Sequence, residues 1–371
     1  MGHRWRLVGI RGLPAEFDEP TEILHMFAQI ALVGLVGAVV WVYQAIKPAP
    51  SKICGSPKGP PVTATRVKLR DGRYLAYKEM GVPKEKAKHK IVYVHGFDQC
   101  RHDAMPVPRD VLEELGAYIV AIDRPGYGQS DPNPKQSVKS KADDIQDFAD
   151  RLNLGPKFYI MGFSMGGQHV WSCLKYIPHR LAGAALLAPV ANFWWRGFPK
   201  DLFKEAYNVQ LVQDRWTLRV GHHLPWLTYW WMTQKWFPAS SVEAGDFRIF
   251  NAHDHKLLSS LPPRAHEAEI RQQGEYECLH RDVMIGFGKW DFDPLDLSNP
   301  FPNYDGSVHL WQGDEDGFVT VLLQRYIAKK LPWIHYHEIQ GAGHMFIYDE
   351  VFPKQVIRSL LLGEKPTVLS A

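Results

Sequence analysis

Gly162-Phe163-Ser164-Met165-Gly166 lies between a short apolar run, Lys157–Met161, and a segment with helical spacing, Gln168–Tyr176. This is the G-x-S-x-G pattern, and its setting calls for a sharp turn from strand to helix. Such a turn exposes Ser164, and the flanking glycines let backbones pack where a β-carbon would clash. The following helix points its N-terminus at Ser164 and favours negative charge developing there. A serine hydroxyl is a weak nucleophile until a base takes its proton and an acid orients that base. Of the 17 histidines, His344 stands out, because Gly341-Ala342-Gly343-His344 directly follows the strand-like run Ile334–Glu338. The candidate acids sit in Gly313-Asp314-Glu315-Asp316, after the run Val308–Trp311. Three carboxylates compete there, and spacing alone does not choose among them. The chemistry indicated is attack by Ser164 on a carbonyl carbon.

Other titratable groups carry less. His222-His223, His253-x-His255 and His335-x-His337 lack further ligands, so no metal is expected. His344–Asp349 fits an H-x-x-x-x-D acyltransferase pattern, read as coincidence because His344 is already assigned as the base.

The elements that must hold these residues alternate. Arg66–Leu69 and Arg73–Tyr77 flank the turn signal Asp71-Gly72, and Lys90–Val94, Ala117–Ile122 and Leu181–Leu187 read as buried strands. Lys139–Leu152 and Glu350–Leu361 read as helices. Strands alternating with helices predict a largely parallel sheet covered on both faces.

Further motifs occur in order: His95-Gly96-Phe97 and Asp123-Arg124-Pro125-Gly126-Tyr127-Gly128-Gln129-Ser130, then Gly162–Gly166 with Gly167, Gly313-x-x-Asp316 and Gly343-His344. From about Arg66 to Leu362 the chain resembles the α/β-hydrolase superfamily. The resemblance implies an α/β-hydrolase fold: a mostly parallel sheet of about eight strands with helices on both faces and an α-helical lid insertion. It implies Asp316 as the acid, His344 as the base and Ser164 as the nucleophile. It also implies an oxyanion hole from the N–H groups of Phe97 and Met165, and a structural role for His95. Serine at the turn, where epoxide hydrolases and haloalkane dehalogenases carry Asp, disfavours those chemistries. The opening K-L-R-D-G-R-Y-L-A-Y-K-E, with the N-terminal features below, is similar to membrane-tethered plant members. The implied division is a core of residues 62–190 and 300–371 with a lid or cap at 191–299. That cap holds eight of the 13 tryptophans; Trp194, Trp195 and Trp230 are candidate substrate-binding residues.

The expected activity is cleavage of a carboxylic ester or related acyl bond of a hydrophobic substrate through an acyl-enzyme, without a cofactor. Related elbows also serve prolyl aminopeptidase-type peptidases and carbon–carbon bond hydrolases. A receptor that binds a small hormone with slow or no turnover could keep the same residues.

Ile23–Ile46 contains no Asp, Glu, Lys or Arg, and a helix of that length can cross the roughly 30 Å hydrocarbon layer. It is read as a single membrane anchor after a tail of residues 1–22. A cleaved signal peptide fits poorly: Glu16, Asp18, Glu19 and Glu22 precede the run and no A-x-A site follows it. Residues 47–61, rich in Pro and Gly, read as a linker. Lys47, Lys52 and Lys58 lie closer to the span than Arg4, Arg6 and Arg11, which favours a cytosolic catalytic domain, with the endoplasmic reticulum the expected membrane. The absence of an N-x-S/T sequon agrees with that side. Across 371 residues, 45% hydrophobic and 22% charged content describe a folded protein, and a net charge of +3 without a basic stripe argues against a nucleic-acid partner. Cys54, Cys100, Cys173 and Cys278 form no CxxC pair and read as free thiols.

Overall fold

The computed structural model describes residues 19–303 and 305–371. Of the expected tail, residues 1–18, including Arg4, Arg6, Arg11, Glu16 and Asp18, lie outside the described residues. The chain forms two compact units, Met1–Lys47 and Pro48–Ala371.

In the first unit, α1 runs over Glu19–Ile46. Its stretch Ile23–Ile46 is long and apolar enough to cross a membrane, and its side chains are exposed. An α-helix of that length rises about 36 Å.

The second unit is built on an eight-stranded sheet. Its strands are β1 (Arg66–Lys68), β2 (Tyr74–Gly81), β3 (His89–Val94), β4 (Ala117–Ile122), β5 (Phe158–Phe163), β6 (Leu181–Leu187), β7 (Val308–Gly313) and β8 (Ile334–Ile339). They lie in the order β1-β2-β4-β3-β5-β6-β7-β8. The pairs β1–β2 and β2–β4 are antiparallel, and every other pair is parallel. β2 runs beyond the expected Tyr77 to Gly81, because it pairs with β4 as far as Tyr118.

Period-2 alternation divides the core. Val92, Val94, Val120, Ile122 and Ile160 point to one face, where they meet α3 (Val138–Arg151), α4 (Gly167–Tyr176) and α12 (Val321–Lys330). Ile91, Tyr93, Ile119, Ala121 and Met161 point to the other, under α2 (Arg109–Leu115) and α13 (Phe352–Leu362). The sheet is buried on both faces, which is why its parallel strands read as continuous apolar runs.

Between β6 and β7 the chain forms short helices: α5 (Lys200–Asn208), α6 (Val212–His223), α7 (Thr228–Thr233), α8 (Ser241–Ala244), α9 (Ala252–Ser260), α10 (Glu267–Ile270) and α11 (Arg281–Gly286). The segment expected as a free linker is bound to this unit from Lys52 onward. Lys52 N–H donates to Gln273 O, Cys54 N–H donates to Gln273 Oε1, and Cys54 is buried. Thr63 and Ala64 N–H both donate to Gln129 Oε1. Proline and glycine exclude helix and sheet here, but they leave backbone donors free for side-chain acceptors.

Candidate active site

β5 ends at Phe163, a single 3₁₀ turn covers Ser164–Gly166, and α4 starts at Gly167. Ser164 sits at φ +51, a left-handed conformation rare outside glycine. Close packing enforces the turn. A β-carbon on Gly162 would lie 2.4 Å from Gly166 O, and one on Gly166 would lie 2.2 Å from Val94 O. One on Gly167 would lie 2.6 Å from Pro189 Cβ. Strain held by surrounding structure in this way is a mark of functional sites.

His344 and Asp316 come from the loops after β8 and β7. His344 Nδ1 donates to Asp316 Oδ2 at 2.7 Å, which leaves the lone pair on Nε2. Asp316 also accepts from Gln312 Nε2 at 3.1 Å and from the N–H groups of Phe318 and Val319 at 2.9 and 2.8 Å. Its four acceptor bonds fix it in place. Phe163 and Phe318 pack against the imidazole, with ring centroids 4.9 and 5.3 Å away. Burial alone would lower the His344 pKa, but the Asp316 charge and hydrogen bond outweigh it, and the value ends above the ordinary histidine range. The neighbouring carboxylates are engaged elsewhere: Asp314 accepts from Gly341 N–H at 2.7 Å and Glu315 from Asn251 Nδ2 at 3.0 Å.

Ser164 and His344 line one cavity of about 260 Å³. Phe97 and Met165 border it, and its walls are mainly apolar, with Phe193, Leu218, Met232 and Val283 among them. The His95–Phe97 loop lies directly over the serine, since a β-carbon on Gly96 would sit 3.1 Å from Ser164 Cβ. His95 is fully buried. Its Nδ1 donates to Gly96 O at 2.8 Å, and its Nε2 accepts from Arg124 N–H at 3.0 Å. Burial and the Arg124 charge hold His95 neutral, well below the ordinary range. Arg124 Nη2 donates to Gly96 O at 2.7 Å, and the guanidinium pairs with Asp282 of α11.

Trp194, Trp195 and Trp230 are not brought to this cavity. Trp194 stacks on His222 at 4.2 Å, and Trp195 packs against Trp171 and Trp290 at 6.1 and 5.2 Å. Both line a second cavity that contains neither Ser164 nor His344. Trp230 meets Trp236 at 5.7 Å. Trp194 and Trp195 fill packing between the insertion and the core, while Trp230 lies beside exposed Trp236.

One residue of the site had no signal in the sequence. Asp254 of α9 is fully buried and accepts from the N–H groups of His344 and Met345 at 2.9 and 2.8 Å. The close approach depends on Gly343, where a β-carbon would stand 2.0 Å from Asp254 Oδ2. Asp349, the acid of the H-x-x-x-x-D pattern, lies against His253 Nε2 at 3.2 Å. Among the described residues, two groups could hold a metal, His102/His266/Glu269 and Glu243/Glu275/His280, and neither includes a residue lining the Ser164 cavity.

The comparisons agree with this fold. A family model described as "Alpha/beta hydrolase family" matches residues 91–358. Protein ABHD14A of Mus musculus is 23% identical over 187 residues, covering 50% of this chain and 74% of that protein. An (R)-3-hydroxydecanoyl-ACP:CoA transacylase of Ectopseudomonas oleovorans is 25% identical over 260 residues, covering 67% of this chain and 75% of the relative. Among solved structures, a hydrolase from Pseudomonas aeruginosa PA01 matches with a TM-score of 0.55 at 15% identity, over 81% of this chain and 99% of that one. An esterase from Exiguobacterium antarcticum matches with a TM-score of 0.51 at 17% identity, over 80% and 98%. These two carry the fold alone. With the family model covering most of β3, all of β4 to β8, the Ser164 turn and the His344 loop, the chain belongs to the alpha/beta hydrolase family.

Proposed function

We propose that this protein is a serine hydrolase that cleaves a carboxylic ester, or a related acyl bond, of a hydrophobic substrate. The observation that carries the reading is the convergence of a strained Ser164 with the Asp316–His344 pair at one apolar cavity. Ser164 Oγ attacks the carbonyl carbon, and His344 Nε2 takes the hydroxyl proton. Asp316 holds the ring and stabilises the imidazolium. The N–H groups of Phe97 and Met165 receive the developing oxyanion. The tetrahedral intermediate collapses to an acyl-enzyme as His344 gives its proton to the leaving group. Water, activated by the same imidazole, then releases the acid and restores Ser164. The insertion acts as a lid, and Ile23–Ile46 tethers the enzyme to a membrane, with the catalytic unit on the cytosolic side.

Acyl transfer is a second reading, favoured by the transacylase among the relatives. It differs only in the acceptor that resolves the acyl-enzyme. Labelling with a fluorophosphonate tests what both share. Wild-type protein takes the label and Ser164→Ala does not; equal labelling of the two removes Ser164 as the nucleophile. Partition of product between free acid and thioester, with coenzyme A added, then separates hydrolysis from transfer.

A further inference from the structure

The outer side of the insertion carries large aromatic rings that nothing in the second unit covers. Trp216, Trp226 and Trp236 are 50%, 60% and 80% exposed, and Phe237 is also exposed. Two groups of neighbouring rings account for most of this surface. Trp216 lies 6.4 Å from Trp231, which lies 4.8 Å from Phe237, while Trp230 lies 5.7 Å from Trp236. Val212 and Leu224, at the two ends of α6, are exposed as well. Lys235 and Arg219 are also exposed, and the Arg219 guanidinium sits 5.4 Å from the Trp216 ring. Single exposed apolar residues are ordinary, but several exposed aromatic rings concentrated on two short helices and the segment after them mark an interaction surface. Tryptophan beside Lys and Arg is the composition of a lipid headgroup interface.

The inner side of the same helices faces the site. Thr217 and Leu218 of α6, Met232 of α7 and Val242 of α8 line the Ser164 cavity. The outer surface therefore backs directly onto the wall of the candidate active site.

Chain connectivity names the partner. Lys52 is fixed to Gln273. The turn Tyr276–His280 follows, and Tyr229 of α7 packs on it, with ring centroids 6.0 Å from Tyr276 and 5.8 Å from His280. Within the second unit, Lys52 is thus bonded next to the segment on which α7 packs. From Ile46 to Lys52 an extended chain spans no more than about 21 Å.

We propose that the aromatic face of α6, α7 and the following Gln234–Phe237 segment rests in the headgroup interface of a phospholipid bilayer. The substrate of the site is then an acyl compound dissolved in that bilayer. The inference rests on the tether reading above, and the two fail separately.

The test uses the full chain in phosphatidylcholine vesicles with brominated acyl chains, which quench nearby indoles. The wild type should show quenching from Trp41 of α1 and from the face. Trp226→Gln/Trp236→Gln should lower the quenching while leaving intact the share that Trp41→Phe removes, with fold and melting temperature unchanged. If the double variant quenches like wild type and Trp41→Phe abolishes quenching, the face does not touch lipid and the tether stands. If no variant is quenched at all, the tether fails and the docking fails with it. If quenching is indifferent to the double variant but that variant halves the particle mass in detergent, a second copy of this chain covers the face, and the proposal is overturned.

Discussion

Between β3 and β5 the core closes with aliphatic side chains that alternate from one face of the sheet to the other. Between Asp254 and Asp282 the insertion meets the same core through charges. Arg124 pairs with Asp282, Arg101 with Glu269, Arg271 with Asp98, and Arg264 with Asp103. Asp254 binds the backbone of the His344 loop. The core uses non-directional burial, which fixes layers and tolerates substitution at constant volume. The insertion uses directional bonds, which fix where a loop lies. Several of these ties end on the loops that carry the candidate chemistry: Asp98, Asp103 and His344. The two regions therefore share one candidate site, with the core supplying the candidate reacting groups and the insertion holding their loops.

Substitutions can break this division of labour. The largest effects belong to the core loops. Ser164→Ala and Asp316→Asn should each lower ester turnover by on the order of 10⁴-fold or more. Asp314→Asn should stay within a few fold, because that carboxylate holds Gly341 rather than the imidazole. Equal losses in Asp314→Asn and Asp316→Asn, read as kcat/KM on an acyl ester series, would undo the assignment. The next effect lies at the charged seam. Arg124→Met strands a buried Asp282 and should lower unfolding stability by roughly 3–5 kcal/mol, with Arg124→Met/Asp282→Leu regaining most of it. Denaturant melts of both variants decide that point.

Asp254→Asn should cost about 10–100-fold in kcat with little change in the melting profile, since it weakens charge-assisted bonds to two N–H groups. A loss confined to stability would make Asp254 a scaffold residue only.

The smallest effect is a shift in pH. The base must be neutral, so activity should rise through a midpoint above about 6.5, because the His344 value is raised. The same shift has a stability consequence of defined sign. The His344–Asp316 pair contributes fully below the unfolded histidine value, and the contribution is lost as pH rises through the folded value. Burial lowers that value while Asp316 and then Asp254 raise it, so Asp316→Asn should move the activity limb to lower pH and Asp254→Asn should move it less. A limb that stays put in Asp316→Asn would show that another group titrates.

What the sequence displayed follows the same division. β3, β5 and β7 were legible because two-sided burial makes short continuous apolar runs. The Ser164 turn was legible because steric need fixes glycine at 162 and 166. Asp316 emerged from three neighbours only through the family resemblance, since the bond to His344 crosses 28 positions. Asp254 was invisible for the same reason at greater distance, with 90 positions between it and His344. Its one local trace is Gly343, which its carboxylate requires. The tryptophans misled because composition shows that large rings must be covered, but not by what. Residues 47–61 read as a linker because the partner that holds Lys52 and Cys54, Gln273, is far away in the chain.

The Gly96 carbonyl has a consequence for the far side of its own peptide. It is gripped by His95 Nδ1 and Arg124 Nη2. A trans peptide is planar, so its C=O and the N–H of the next residue point in opposite directions. Pinning the oxygen of residue 96 therefore aims the amide of Phe97 like a fixed dipole. Arg124 reaches that oxygen with one nitrogen while its charge is matched by Asp282. The orientation of the amide is thus set during folding, and under the proposed mechanism no local rearrangement is needed when an anion forms beside it.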